Sequence, residues 1–325
     1  MIQLYSHAPD SIVTGTQAYA ESLLRLQYQY FYSGLIEVRL GIDNQIVILI
    51  SDGTLIGSYC FKDASMTEFS IALLPSYWPS GKAQIRSVSL PREAVRSGRE
   101  MIEWSPPSQI LTINSEDLLD YLNQYKQYKT NGLIQLLWEQ SEGFLLMEGG
   151  NPTDYDSVLS TPNGVEAGNI SLEAFLKQIS TTLTIRFYET RPGTTTFQQN
   201  ELRYSFFKWN NNIFSILTQS VENPVISSLI NDLNVIMRSK GWHVQYVNGG
   251  LRDTHVFPSL DSMIVAYCLW ITTLSDHVAS NKEQSFPSTV IKQAFDFLSS
   301  KDQQVLNRIG SRSNSSITRF TTRTR

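Results

Sequence analysis

One phrase occurs twice in this chain, and it restricts the fold more than any other feature. Tyr30-Phe31-Tyr32-Ser33-Gly34-Leu35-Ile36-Glu37-Val38 and Tyr128-Lys129-Thr130-Asn131-Gly132-Leu133-Ile134-Gln135-Leu136 stand 98 residues apart. Each holds a tyrosine, then four residues later Gly-Leu-Ile followed by a polar and an apolar position. Leu24 matches Leu122 at the same offset, and Ile85-Arg86 matches Ile185-Arg186 at an offset of 100, as a small insertion or deletion would produce. The shared order of these features predicts that residues 14–100 and 112–190 fold alike, with Leu24 and Leu122 at matching core positions.

In each copy an amphipathic helix comes first, through Tyr19, Leu23, Leu24 and Leu26 in one and Leu118, Leu119, Leu122 and Tyr125 in the other, near the i, i+3, i+4 spacing that puts apolar groups on one face. Asn114 or Ser115, followed by Glu116 and Asp117, supplies a cap and first-turn acids to the second helix. Gly34 and Gly132 fall where each helix would end, so both are expected in left-handed C-terminal caps. Strands follow over Leu35–Leu40 and Gln45–Ile50, and Asp52-Gly53 turns the chain into Thr54–Phe61. In the second copy Leu133–Trp138 and Phe144–Met147 flank a turn, and Gly149-Gly150-Asn151-Pro152 departs from the Asp-Gly step. A short helix (Met66–Leu74; Ser171–Ile179) and a last strand (Gln84–Val88; Leu183–Tyr188) complete a unit of normal domain size.

The last third differs in kind. After Asn223-Pro224, Val225, Ile226, Leu229, Ile230, Leu233, Ile236 and Met237 form a continuous stripe that ends at Gly241. Trp242, Val244 and Tyr246 alternate in a short strand turned by Asn248-Gly249, Ser259 caps a further helix, and Pro287-Ser288 opens another. Phe206 to Leu217 reads as a helix or a strand–helix pair, and the polar stretch Arg191–Thr196 marks the boundary. The expected fold class is therefore α+β: two related helix-plus-β-meander modules (1–104 and 105–193), a mainly helical domain (194–300) and a basic flexible tail (301–325).

The run from Ser33-Gly34-Leu35-Ile36-Glu37-Val38 through Asp52-Gly53-Thr54-Leu55-Ile56, placed after a helix, resembles the PATAN-type regulatory domain of bacterial two-component and motility proteins. The resemblance covers about 14–100 well and 112–190 less well. It implies a non-enzymatic protein-interaction module in signalling, motility or polarity, without a cofactor. Such domains often accompany a receiver domain, yet the acidic pair, phospho-acceptor Asp and later Lys of that chemistry have no counterpart in the last third.

Function classes narrow further on chemistry. Hydrophobic residues at 41% exclude a chain disordered throughout, and the longest apolar stretch, Met263–Ile271, is far short of the ~20 residues of a membrane span. With no cationic segment ahead of an apolar run at the start, and two cysteines, Cys60 and Cys268, read as free thiols, a cytoplasmic protein is expected. Net charge is −4, but residues 301–325 carry six cations against Asp302, a net +5, and the other 300 residues carry −9. The tail residues Arg308, Arg312, Arg319, Arg323 and Arg325 are candidates for contact with nucleic acid or an anionic surface, against a plain solvated terminus.

No nucleophile elbow, P-loop, dinucleotide fingerprint or zinc-protease motif occurs. His243, Asp253, His255 and Asp261 lie within nineteen positions, so a two-histidine, one-carboxylate metal site is conceivable, with His277 as a further ligand, against loop histidines without a metal. The aromatic run Tyr28, Tyr30, Phe31, Tyr32 with Tyr121, Tyr125 and Tyr128 suits either an interface or packing of the two equivalent helices on one another. The leading reading is a regulatory scaffold acting through an unidentified protein partner; binding through the Arg-rich tail and an unrecognised metal-dependent enzyme are the alternatives.

Overall fold

A computed structural model describes residues 4–41, 44–63, 65–78, 81–153, 157–168, 179 and 182–312. The chain is a mixed α+β protein with antiparallel sheets and a helical C-terminal region, and it divides into two compact units, Met1–Thr194 and Thr195–Arg325.

The first unit opens with β1 (Asp10–Gly15), α1 (Gln17–Gln29), β2 (Gly34–Arg39), β3 (Asn44–Ser51), β4 (Thr54–Lys62), β5 (Ser65–Glu68), the short α2 (Leu74–Tyr77) and β6 (Ala83–Ser89). Its strands form an antiparallel sheet in the order β1-β6-β2-β3-β4-β5. After α3 (Arg92–Glu103) come β7 (Gln109–Asn114), α4 (Leu118–Gln127), β8 (Gly132–Trp138), β9 (Ser141–Glu148), β10 (Asn151–Pro152), β11 (Ser157–Thr161), β12 (Gly164–Gly168) and β13 (Thr182–Glu189). The second sheet runs β7-β13-β8-β9-β11-β12, with β10 also on β9. Read from β1 or from β7, the order of strands is the same.

Alternation along each strand divides the two faces. Ala20 and Leu24 of α1 pack with Ile36, Val38, Ile46, Ile48 and Ile50 in one core, while Leu118, Leu122 and Tyr125 of α4 pack with Ile134, Leu136, Leu145 and Met147 in another. The opposite faces of both sheets meet α3, which lies against β2 and β3 on one side and β8, β11 and β12 on the other and is buried from Ala94 to Glu103. Its sequence, REAVRSGREMIE, reads as a solvent helix; burial is tolerated because Arg96 meets Glu100 at 3.2 Å and Arg99 meets Glu103 at 2.8 Å, each one turn apart, so no charge enters the core unpaired.

The corners after α1 and α4 correct an expectation. Gly34 and Gly132 begin strands and are not left-handed; Phe31 (φ 55°) and Lys129 (φ 49°) occupy that conformation instead. The amides of Phe31 and Tyr32 donate to Tyr28 and Gln27 carbonyls at 3.5 and 3.0 Å, and those of Lys129 and Thr130 to Lys126 and Tyr125 at 3.2 and 3.1 Å, closing both helices with the same pair of bonds. Glycine is required at 34 and 132 for another reason. A Cβ there would stand 2.2 Å from the Val88 carbonyl oxygen and 2.4 Å from that of Tyr188.

Other expectations also change. Met66–Leu74 contains β5 and a 3-10 turn (Ile71–Leu73) where a single helix was predicted, because Met66 and Thr67 pair with Phe61 and Cys60 of β4. Gly149-Gly150, read as a departure, has both residues left-handed, as Asp52-Gly53 does. Of the predicted helix Ser171–Ile179, all but Ile179 lies outside the described residues.

The second unit comprises α5 (Thr195–Ser220), α6 (Asn223–Ser239), the hairpin β14 (Val244–Val247) and β15 (Gly250–Asp253), α7 (Leu260–Ala279), α8 (Phe286–Asp296) and α9 (Ser300–Arg312). One core joins all five helices, with Phe206 of α5 stacked on Tyr267 of α7 at 3.9 Å between ring centres. Left-handed Asn248 and Gly249 turn the hairpin, and Asn234 of α6 clamps it by bonding both the amide and the carbonyl of Tyr246. The chain from Ser300 to Arg312 is helical, so a flexible tail does not begin at 301.

Candidate interaction surface

Tyr19, Leu26 and Tyr30 recur at seven- and four-residue steps, which places them in one stripe along α1, and the chain then continues directly into Phe31 and Tyr32. None of them joins the core: Tyr19 is 43% exposed, Leu26 48%, Tyr30 61%, Phe31 75% and Tyr32 54%. Phe31 also holds a backbone conformation that bulky side chains disfavour by roughly 1–2 kcal/mol. It stands beside Gly53, whose amide donates to the Tyr32 carbonyl at 3.0 Å, while Ser33 Oγ accepts from the Asp52 amide at 2.8 Å. The corner is thus rigidly built while its apolar surface faces water.

At α4 the same scaffold carries other chemistry. Gly150 donates to the Thr130 carbonyl at 2.9 Å and Gly149 to Asn131 Oδ1 at 2.6 Å, repeating the bonds of the first corner. Yet the positions 98 residues beyond Tyr19, Leu26, Phe31 and Tyr32 are Asp117, Gln124, Lys129 and Thr130. Only Tyr128, beyond Tyr30, keeps its ring, and Leu119 adds a separate exposed side chain. Tyr125 turns inward to stack on Phe187 at 4.9 Å and donates to Gln109. The expected packing of the two aromatic helices on one another does not form: α1 and α4 each cover the face of their sheet turned away from α3, and Tyr30, Phe31, Tyr32 and Tyr128 remain exposed.

Between the sheets lies a buried polar layer. Arg86 reaches Asp10 at 2.6 Å, Glu37 at 3.4 Å and the carbonyls of Leu4 and Tyr5 at 2.9 and 2.6 Å, so its guanidinium is held on several sides. Tyr59 donates to Glu103 at 2.9 Å. On the second sheet Tyr188 donates to Gln135 at 3.1 Å, and Gln135 donates to Glu142 at 3.0 Å. Burial pushes the Glu142 carboxyl up to about 7, against the partial relief of Gln135, the Ser6 amide, Arg86 and Arg186. These contacts stabilise the interior, and they lie inside because α3 covers the second face of each sheet.

The histidine cluster is only partly brought together. Asp253 Oδ2 accepts from Arg203 Nε at 2.9 Å and from the Tyr267 hydroxyl at 2.7 Å, and Oδ1 accepts from the His255 amide at 2.9 Å. With a fully buried carboxylate bound in this way, Asp253 anchors α5 and α7 to the hairpin, and both its oxygens already accept hydrogen bonds from the protein. The rings of His243 and His255 lie 5.8 Å apart between centres, whereas His277 pairs with Asp232 at 2.8 Å and ties α7 to α6. Cys268 packs at the margin of the core, and neither it nor Cys60 is in a disulfide. Of the tail residues, Arg308 and Arg312 fall within α9, and Arg319, Arg323 and Arg325 lie outside the described residues.

No helix among the described residues is long and apolar enough to cross a membrane. No family model, curated protein or solved structure matches the chain.

Proposed function

We propose that this chain is a non-catalytic regulatory scaffold of the bacterial cytoplasm, built on two tandem copies of one PATAN-like α+β module, that works through protein association at the surface of α1. The duplication is supported by the common strand order, the matching helix-closing bonds and the two crowded glycines, Gly34 and Gly132. The observation that carries the functional reading is the contrast between the corners: one backbone accommodates Lys129 and Thr130, so the exposed Phe31 and Tyr32 are not demanded by the fold. Aromatic residues of this kind are the side chains that dominate protein interfaces.

The test is capture from native lysate with the intact chain, run beside a Leu26→Gln/Phe31→Lys variant that carries the α4 residues. A stoichiometric protein retained by the first and lost by the second is expected. Equal retention by both, or turnover of a small molecule by the purified protein in the absence of any protein bound to it, defeats the reading.

A further inference from the structure

Resting on that reading, we infer that the occupant of the α1 surface is a second copy of this chain, the two α1 helices packing antiparallel across a twofold axis. Area supports this first. Aromatic side chains bury about 150–250 Å² each, so Tyr19, Leu26, Tyr30, Phe31 and Tyr32 at their observed exposures offer on the order of 500 Å². An isologous contact uses the patch twice and, fully covered, removes about 1,000 Å² from water, the size of a weak, reversible interface.

Shape and charge agree. The exposed side of α1 carries Tyr19 beside the small Ala18 and Ser22 near its start, and Leu26, Tyr30 and Phe31 toward its end. Antiparallel pairing lays Leu26 and Tyr30 of one copy over Ala18, Tyr19 and Ser22 of the other. Glu21 and Arg25 are the only charged residues of α1, and they stand symmetrically about Leu23. A twofold axis passing at the level of Leu23 brings each Glu21 level with the Arg25 of the other copy along one flank of the contact, twice per contact. The equivalent stretch at α4 exposes Glu116, Asp117 and Asp120 ahead of Lys126 and Lys129, and Gln124 lies where α1 has Leu26, so it lacks the apolar stripe that would hold two copies together.

Sedimentation velocity of the purified full chain from ~1 to ~100 μM tests the inference, with far-ultraviolet circular dichroism to verify folding. A dimer that dissociates on dilution is expected, and Leu26→Gln/Phe31→Lys should weaken it by at least about tenfold. Glu21→Lys or Arg25→Glu alone should weaken it several-fold, whereas the two together should return it to within about twofold of the parent, because the swap restores both pairs. A monomer throughout the range, a dimer unaffected by the double apolar substitution, or a charge swap that does not restore association overturns the inference. A monomeric parent that still captures a different protein through this surface would leave the scaffold reading intact and remove only the second copy.

Discussion

Glu37 and Glu142 are both buried carboxylates on the sheet faces that meet α3, yet they live in different chemistry. Glu37 has Arg39 at 2.6 Å and Arg86 at 3.4 Å. Glu142 leans on an amide, Gln135, and on more distant cations. By strand register Glu37 corresponds to Gln135 and Gln45 to Glu142, so carboxylate and amide have exchanged places between the sheets. The exposed corners differ in the same manner, with apolar residues after α1 and polar ones after α4. Matching backbones thus tolerate divergent side chains wherever hydrogen bonding or solvent replaces what is lost.

The largest expected effect separates the two arginines. Replacing Arg86 with Met leaves Glu37 with Arg39 alone and strips the Leu4 and Tyr5 carbonyls of their buried donor, which should cost about 3 kcal/mol or more. The half-buried Arg186, 100 residues on, should cost only about 1 kcal/mol in the same replacement. Urea unfolding of both variants measures this, and equal losses would break the contrast between the sheets.

Glu142 sharpens it through pH. Its native pKa of about 7 lies above the ~4.3 of an unfolded glutamate, so the folded state binds the extra proton. The associated stability is complete below pH ~4.3 and is lost as pH rises through about 7, by about 3 kcal/mol at pH 8. Glu142→Gln, which gives the second sheet the amide that the first has at Gln45, should flatten this dependence and raise stability at pH 8. An unchanged pH profile by chemical denaturation would contradict the assignment.

The smallest effect concerns the corners. Phe31→Gly and Lys129→Gly each relieve a left-handed side chain and should add up to about 1 kcal/mol of stability, read as a rise of about 2–4 °C in thermal midpoint. Only the Phe31 variant should lose association. If Lys129→Gly weakens association equally, the functional difference between the corners disappears.

Local chemistry made much of this fold legible. Asp52-Gly53 and Asn248-Gly249 announce turns because their backbones favour positive φ, and both turn strands as expected. The stripe from Ile226 to Met237 ends at Gly241, which is left-handed and closes α6. The same reasoning failed at the α1 and α4 corners. There the left-handed positions hold Phe31 and Lys129, residues whose own preferences point elsewhere, while the nearby glycines carry the stronger local signal. Those glycines serve close approach of strands, a demand that comes from Val88 and Tyr188, more than fifty residues away.

What a chain of this composition states for itself are its periodicities, turns and internal echoes, because each depends on neighbours within a few residues or on direct comparison of two segments. Burial of the charged helix α3 depends on two sheets closing around it, and the binding of Asp253 depends on Arg203 and Tyr267 from different helices. Whether Phe31 faced a core or water was likewise decided by packing, since α1 turns Leu24 inward and so leaves Leu26, Tyr30 and Phe31 outside. Local rules govern backbone direction; only long-range contacts assign each side chain an interior or a surface, and the functional surface follows from that assignment.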